Sequence, residues 1–275
     1  MTTEENAAPA RLLTGGVANA GAVFRRGEAV ERPAPPNAEA LHAHLLALRR
    51  RGFDGAPTPL GRSADGDRER LSYVPGDVAL PPFPGWAMTD EALRSVGVLL
   101  RRMHDAATEF PADADWSRDF ADPAGGSVLC HNDVCPENVV FRDGRAVALI
   151  DFDAAAPGRP VWDVALTARY WVPMIDPVSA AASYPEGLDA PRRLAVLADA
   201  YGLSAPDRAV LPAVVSEAVA VCRAFVERRV ADGDPAFGKV LAERGGWGWW
   251  DRVQGWLVER RADFEEALAR PGVVE

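Results

Sequence analysis

The chain has 275 residues, 48% of them hydrophobic and 25% charged, which is typical of an ordinary globular protein and excludes a disordered or fibrous one. The formal net charge of −10 argues against nonspecific binding to nucleic acid, whose phosphates would repel it. The three cysteines are too few and too irregular for a disulfide framework, and we do not expect zinc at Cys130, His131 and Cys135. We find no apolar run near the length of a membrane span and no signal-peptide pattern, so we expect a cytoplasmic protein without a membrane partner.

The first part of the chain has the pattern of strands with one helix. Two short apolar–polar runs flank Gly27 and Glu28, which predicts a β-hairpin. Asn37 then precedes leucines at helical spacing, which predicts a helix that ends at Gly52. The stretch RERLSYV predicts another strand, which stops at Pro75.

From there the pattern becomes mainly helical. Thr89 is placed to cap a helix, and one face of that helix is apolar. The residues of this face are Leu93, Val96, Leu100 and Met103. We therefore predict an α+β fold, with a small β-rich N-terminal lobe (residues 1–74) and a larger, mainly helical C-terminal lobe (residues 75–275).

The stretch CHNDVCPENVVFRDGRAVALIDFD places polar side chains among short apolar runs. Asp143 and Gly144 predict a tight hairpin turn inside it. Pairing the strands outward from that turn puts Asn138 opposite Leu149, with Asp151 just beyond at the same open end. An amide oxygen and a carboxylate that converge in this way suit Mg²⁺, which takes few protein ligands and leaves room for phosphate oxygens.

Asp133 lies in the loop that enters this hairpin, where it could accept a proton from an attacking hydroxyl. His131, Asp133 and Asn138 have the H-x-D-x-x-x-x-N spacing of kinase catalytic loops, and Asp151 corresponds to the Asp of D-F-G. The alternative is that Asp133 and Asn138 merely cap turns. The hairpin, the trailing acid and the order of the lobes favour the kinase interpretation.

These motifs resemble the aminoglycoside phosphotransferase and choline kinase group of small-molecule kinases. CHNDVCPENVVF, ALIDFDAAAPGRPVWDVA and LSYVPGD are similar to that group's catalytic loop, metal-binding segment and interlobe linker, and the resemblance runs from about Leu12 to Tyr170. It implies the two-lobed protein-kinase-like fold. It also implies ATP or another nucleoside triphosphate with Mg²⁺, and a small hydroxylated acceptor.

The resemblance further implies roles for individual residues. Asp133 would be the catalytic base and His131 a residue that orients the loop. Asn138 and Asp151 would be magnesium ligands. Asp153 falls where choline-type kinases place an acid, so it is either a second metal contact or a solvated carboxylate.

The N-terminal lobe departs from the pattern. A kinase-like lobe usually offers a lysine on its third strand, paired with a helix glutamate, to hold the α- and β-phosphates. The only lysine here is Lys239, far outside this lobe. Arg32 is the substitute that we favour, on the same strand face as Val30, which would cover the adenine. The alternative is an exposed residue at the strand end.

Two further segments are assigned to the nucleotide site. The turn at Gly15 and Gly16, with Asn19, could cover phosphates with backbone N–H groups. Tyr73 and Val74 belong to the interlobe linker and would line the nucleotide site.

Three further features of the chain carry expectations. The helix glutamate that would pair with Arg32 is missing, because Leu41 stands where the group's glutamate is expected and Glu39 and His42 are the nearest polar residues. Asp163, in VWDVA, would brace the catalytic loop from beneath. A tryptophan cluster near the C-terminus would either line a substrate pocket or pack helices. Its members are Trp247, Trp249, Trp250 and Trp256.

We therefore predict an ATP- and Mg-dependent phosphotransferase that acts on a hydroxyl of a small polar molecule, such as an aminoglycoside or another antibiotic. A choline-like amino alcohol is the second acceptor hypothesis. The rival class is a nucleotide-binding immunity or regulatory protein without turnover. The missing lysine and glutamate favour that class, whereas Asp133, Asn138 and Asp151 oppose it. The motifs specify neither the acceptor, the donor nucleotide nor the oligomeric state.

Overall fold

The computed structural model describes residues 9–13 and 21–270 of the chain. The predicted phosphate-covering turn with Gly15, Gly16 and Asn19 lies outside the described residues.

The N-terminal part is a five-stranded antiparallel sheet with one helix. Its elements are β1 (Arg11–Leu12), β2 (Phe24–Arg26), β3 (Ala29–Pro33), α1 (Ala38–Arg50), β4 (Pro59–Arg62) and β5 (Arg68–Ser72). The strand order is β1-β2-β3-β5-β4. The predicted hairpin at Gly27 and Glu28 is confirmed, because Arg26 pairs with Ala29 across it. Asn37 precedes α1 as predicted, but its side chain makes no capping hydrogen bond.

The remaining elements are mainly helical. They are α2 (Asp90–Ala106), β6 (Val128–Cys130), β7 (Val139–Arg142), β8 (Arg145–Leu149), β9 (Ala156–Gly158), α3 (Pro160–Trp171), α4 (Pro177–Ala180), α5 (Ala190–Tyr201), α6 (Ala205–Ala231), α7 (Pro235–Glu243), α8 (Trp247–Glu259) and α9 (Arg261–Ala269). Thr89 caps α2 as predicted, since its hydroxyl accepts the N–H of Ala92 at 3.1 Å. The four predicted apolar residues of α2 are all buried. The α+β class is thus as predicted, while the lobe boundary at residues 74 and 75 stays a prediction.

The hairpin register differs by one residue from the prediction. Val139 pairs with Leu149, because a bulge leaves Val147 without a partner in β7. The N–H of Ile150 then donates to the carbonyl of Asn138 at 2.9 Å. The predicted pairing of Asn138 with Leu149 is therefore wrong, since a β-bulge adds a residue to one strand that the turn sequence does not reveal.

The linker after β5 is fastened to this hairpin. Asp77 and Phe141 exchange two backbone hydrogen bonds, at 2.9 and 2.8 Å. Gly76 lies so close that a Cβ there would be 2.4 Å from the carbonyl oxygen of Phe141, so only glycine fits. The hairpin that carries the candidate site is therefore held directly against the end of the sheet.

Helix α6 is an exception to the expectation that no apolar run approaches the length of a membrane span. It has 27 residues and a mean hydropathy of 1.8 over its most apolar window, so by length and composition it could cross a membrane. The core helix of a globular protein meets the same criterion, and α6 buries Leu211, Val215, Ala218 and Val219.

Candidate active site

The loop between β6 and β7 is held from beneath by Asp163 of α3. The Oδ2 and Oδ1 atoms of Asp163 accept the backbone N–H groups of His131 and Asn132 at 2.7 and 2.9 Å. His104 Nε2 lies 3.0 Å from the same Oδ2, and His104 Nδ1 lies 2.7 Å from the Tyr201 hydroxyl. Asn132 has a φ of 63°, in the left-handed region, so these two fixed N–H groups set an unusual turn.

Asp133 is held by its two neighbours in the same loop. The Nδ2 atom of Asn138 donates to the backbone oxygen and to Oδ2 of Asp133, both at 3.0 Å. His131 Nδ1 accepts the N–H of Asp133 at 3.3 Å, and its Nε2 lies 3.0 Å from the carbonyl of Ile150, which assigns the ring proton to Nε2. Burial and then the charge of Asp151 raise the pKa of Asp133 to about 7. A carboxylate of this kind is a suitable proton acceptor near neutral pH.

Asp151 follows β8 in a strained backbone conformation. Its φ is 64°, in the left-handed region that a residue with a Cβ adopts only when its surroundings impose it. Its Oδ1 accepts a hydrogen bond from Nη1 of Arg32 at 2.6 Å. The strained turn thus directs the Asp151 carboxylate toward the sheet.

Arg32 donates from each of its three side-chain nitrogens to a different carboxylate. Nε donates to Glu69 at 2.7 Å, Nη1 to Asp151 at 2.6 Å and Nη2 to Asp153 at 2.5 Å. The residue is only 7% exposed, so the alternative of a surface residue at the strand end is wrong. Burial raises the pKa of Asp153 to about 6, against the lowering effect of the Arg32 charge.

Glu69 is the carboxylate that the sequence analysis missed. It pairs with Arg32 across β3 and β5, and its Oε2 lies 2.6 Å from Nε2 of His42 on α1. Leu41 is buried and Glu39 is exposed, so neither replaces the helix glutamate. The sequence did contain a signal for Glu69. Side chains alternate along a strand, so Glu69 lies on the same buried face of β5 as Leu71, where an acid needs a partner.

The other predicted nucleotide-site residues lie around the end of the sheet. Val30 is half-buried and pairs with Leu71. The N–H of Tyr73 donates to the carbonyl of Glu28 at 2.7 Å, and the Arg25 guanidinium lies 3.6 Å over its ring. Val74 is half-buried beside it. One face of Tyr73 is therefore already covered.

The donor set and the charge at this centre fit a divalent cation. Asn138 commits its amide nitrogen to Asp133, which leaves its amide oxygen as an acceptor on the side of the loop facing away from that bond. Three carboxylates surround the single guanidinium of Arg32, so these four groups together carry an excess of two negative charges. Hard oxygen donors with such an excess are what Mg²⁺ requires.

Comparisons with known proteins agree with this geometry. A sequence profile described as "Phosphotransferase enzyme family" matches residues 116–197, which include the loop that carries Asp133, the hairpin and α3. A trifolitoxin immunity protein of Rhizobium leguminosarum bv. trifolii is 31% identical over 271 residues, which cover 94% of this chain and 98% of that protein.

Two solved structures show the fold. A choline/ethanolamine kinase family protein from Mesorhizobium loti aligns with a TM-score of 0.65 and 15% identity, over 95% of this chain and 92% of that one. A macrolide 2'-phosphotransferase from Brachybacterium faecium aligns with a TM-score of 0.54 and 16% identity, over 96% and 93%. The two-lobed, protein-kinase-like fold that the motifs predicted is thereby confirmed.

Proposed function

The chain belongs to the phosphotransferase enzyme family, and on this basis we propose that it transfers the γ-phosphate of ATP to a hydroxyl group of a small molecule. The observation that supports this best is the arrangement of Asp133 and Asn138. The amide of Asn138 holds the Asp133 carboxylate at the same open hairpin end that carries Asp151. In this proposal the proton acceptor and the oxygens that would bind metal belong to the same end of the hairpin, as phosphoryl transfer requires.

In the proposed reaction Asp133 accepts the proton of the acceptor hydroxyl. The hydroxyl oxygen forms a bond to the γ-phosphorus while the bond from that phosphorus to the bridging oxygen breaks, and ADP leaves with the electron pair. His131 and Asp163 keep the loop in place, so the carboxylate meets the hydroxyl in a fixed position.

Three residues would hold Mg²⁺, namely Asn138, Asp151 and Asp153. The ion, when bound, neutralises charge on the phosphate oxygens. Its charge near Asp151 would also lower the pKa of Asp133 from about 7, because Asp151 contributes to raising it. Asp133 would then be ionised, and able to accept a proton, over a wider pH range.

Arg32 would take the place of the missing lysine. A guanidinium has five N–H donors, and three nitrogens of Arg32 each direct one toward a carboxylate. The remaining donors are available for the α- and β-phosphates of a nucleotide that Val30, Tyr73 and Val74 would cover. The proposal places the nucleotide between the sheet and the hairpin, and the protein in the cytoplasm, where ATP is abundant.

A second candidate function is immunity, which the name of the Rhizobium relative assigns to that protein. Immunity could arise by either of two mechanisms. The chain could phosphorylate a toxic molecule, or it could bind nucleotide without turnover, with the Arg32 guanidinium occupying Asp151 and Asp153 in place of a metal ion. Mg-dependent turnover of ATP separates the two mechanisms.

The test uses purified protein, labelled ATP and a panel of hydroxylated compounds with Mg²⁺. We expect label in at least one acceptor, and transfer about a hundred- to ten-thousandfold slower with Asp133→Asn, whose amide cannot take up the proton. If the protein binds ATP but neither transfers label nor hydrolyses ATP in the presence of Mg²⁺, the result would support a nucleotide-binding protein without turnover instead.

A further inference from the structure

The guanidinium of Arg32 reaches beyond its strand neighbour to two of the residues proposed to hold Mg²⁺. Nη1 donates to Oδ1 of Asp151 at 2.6 Å, and Nη2 donates to Oδ1 of Asp153 at 2.5 Å. Both contacts are charge-assisted hydrogen bonds, the stronger class in proteins. One oxygen of each carboxylate is therefore engaged by a cation that belongs to the chain itself, and the other oxygen of each stays available to an ion.

Arg32 is anchored on its other side by Glu69. Its Nε donates to Oε1 of Glu69 at 2.7 Å, and the pairing of β3 with β5 places these two residues opposite each other. Oε2 of Glu69 lies 2.6 Å from Nε2 of His42. Arg32 is 7% exposed and Glu69 is 1% exposed, so withdrawal of the guanidinium would leave a buried carboxylate without its arginine partner. This cost keeps the guanidinium in its position.

The short segment that carries both metal-site acids is held as well. Asp151 has its fixed left-handed backbone conformation, and the ring of the next residue, Phe152, is buried with its centroid 4.4 Å from that of His131. Nδ2 of Asn132 donates to the carbonyl of Ala154 at 3.1 Å, which fastens the far end of the segment to the loop of Asp133. Neither the arginine nor the acids can therefore move apart without breaking further contacts.

This arrangement differs from the kinase pattern in its consequence for metal binding. Protein kinases hold two Mg²⁺ ions on the Asp of D-F-G and the catalytic-loop Asn, and their strand lysine is a single compact charge. Arginine instead presents a planar fork, which here binds Asp151 and Asp153 directly. A Mg²⁺ ion on either Oδ1 atom would share that oxygen with the fork and lie within about 5 Å of a guanidinium nitrogen. Two cations at that distance repel each other, most strongly where water is excluded.

We propose that the Arg32 guanidinium takes the place of one of the two metal ions of the kinase pattern, so that this protein binds a single Mg²⁺ ion with its nucleotide. The ion would lie on the amide oxygen of Asn138 and on the oxygens of Asp151 and Asp153 that Arg32 does not engage. The inference rests on the proposed kinase function. The phosphates would then be neutralised by one ion and by the two N–H groups of Arg32 that no carboxylate uses.

The first experiment counts metal ions with Mn²⁺, a paramagnetic probe that replaces Mg²⁺. EPR spectroscopy measures free Mn²⁺ while the ion is added to purified protein, first alone and then with one equivalent of the β,γ-imido analogue of ATP, which resists hydrolysis. We expect wild type with the analogue to bind one Mn²⁺ per chain and no second ion up to millimolar free Mn²⁺. The spectrum of the bound ion should show no broadening from a second Mn²⁺ nearby.

Variants of Arg32 then test whether the guanidinium is what excludes the second ion. Arg32→Lys keeps a positive charge beside Glu69, but one ammonium group cannot reproduce the three-way fork. Arg32→Gln removes the charge. We expect both variants to bind two Mn²⁺ ions with the analogue, and to bind Mn²⁺ without nucleotide about ten- to a hundredfold more tightly than wild type. Arg26→Gln is the matched control, since Arg26 pairs with Glu31 near the surface of the same sheet, and its count should stay at one.

The outcomes separate this inference from the kinase proposal. Two Mn²⁺ ions or none in wild type with the analogue, or a count and affinity unchanged in both Arg32 variants, would overturn the inference. Two ions in wild type together with transfer of labelled phosphate from Mg-ATP would keep the kinase and reject the inference. One ion in wild type and two in both variants, without transfer to any acceptor, would keep the single-ion site and reject the kinase.

Discussion

Arg32 and Asp151 lie 119 residues apart in the sequence, yet Nη1 of the first is 2.6 Å from Oδ1 of the second. The contact joins strand β3 of the sheet to the segment that follows the hairpin of β7 and β8. Because Arg32 also contacts Glu69 and Asp153, one side chain links the proposed nucleotide and metal sites. The proposed function requires both sites to act on one triphosphate, so this cluster is where the structure can be tested first.

Removal of the Arg32 charge should destabilise the protein, and Mg²⁺ should restore part of the lost stability. Arg32→Gln leaves Glu69 buried without its cation, and we expect a loss of about 3 to 5 kcal/mol in the free energy of unfolding. Mg²⁺ should restore more stability in the variant than in wild type, because it supplies positive charge to Asp151 and Asp153. Thermal unfolding with EDTA and with Mg²⁺ measures both effects.

The matched control for that experiment is Arg26→Gln. Arg26 forms an ion pair with Glu31 near the surface, and the loss there should be below about 1 kcal/mol. A magnesium increment in Arg32→Gln no larger than that of wild type would mean that the ion does not bind beside Asp151.

The pair of His42 and Glu69 should show measurable coupling. Their atoms lie 2.6 Å apart and Glu69 is 1% exposed, so a double-mutant cycle of His42→Asn and Glu69→Gln should give about 1 to 3 kcal/mol. The control is the exposed contact between Arg49 on the same helix and Thr58, where the coupling should be near zero. A coupling between His42 and Glu69 no larger than that of the control would show that His42 does not belong to the site.

Asp163→Asn should loosen the catalytic loop. In this variant an NH2 group, which is a donor, replaces one of the two carboxylate oxygens, so one of the His131 and Asn132 N–H groups loses its acceptor and we expect a loss of about 2 to 4 kcal/mol in the free energy of unfolding. Hydrogen exchange at these two amides should become faster. Asp122→Asn, which breaks a buried contact with Arg159 instead, should leave the exchange of the loop amides unchanged.

Spacing alone was enough to select the candidate catalytic loop, because a kinase-type site places residues such as Asp133, Asn138 and Asp151 within one loop and hairpin. It could not give the register, since the bulge at Val147 depends on how the strand packs rather than on the turn. Short-range patterns therefore predicted which elements form the site but not the position of each residue within it.

Contacts between residues far apart in the sequence could not be predicted for a different reason. Glu69 meets Arg32 only because β5 pairs with β3 in one particular register, with 36 residues between the two positions. Sequence periodicity shows which face of a helix is buried, but not which other helix contacts it.

The buried histidine His44 makes stability depend on pH. Burial lowers its pKa from 6.5 to about 4, so between these values the unfolded chain binds a proton that the folded protein does not. Stability from this group is therefore lost as pH falls from 6.5 to 4, by about 3 kcal/mol in full. We expect urea unfolding at pH 7 and pH 4.5 to show a smaller pH difference for His44→Leu than for wild type. An identical difference would show that His44 is protonated in the folded protein.

The most direct test of the proposed function is the transfer of labelled γ-phosphate from Mg-ATP to a hydroxylated acceptor by wild type and Asp133→Asn. Calorimetric ATP affinity is measured on the same samples. We expect the variant to bind ATP as wild type does and to transfer phosphate about a hundred- to ten-thousandfold more slowly, because only the proton acceptor is lost. Transfer by Asp133→Asn at the wild-type rate would contradict the assignment of Asp133 as the base, and with it the proposed mechanism.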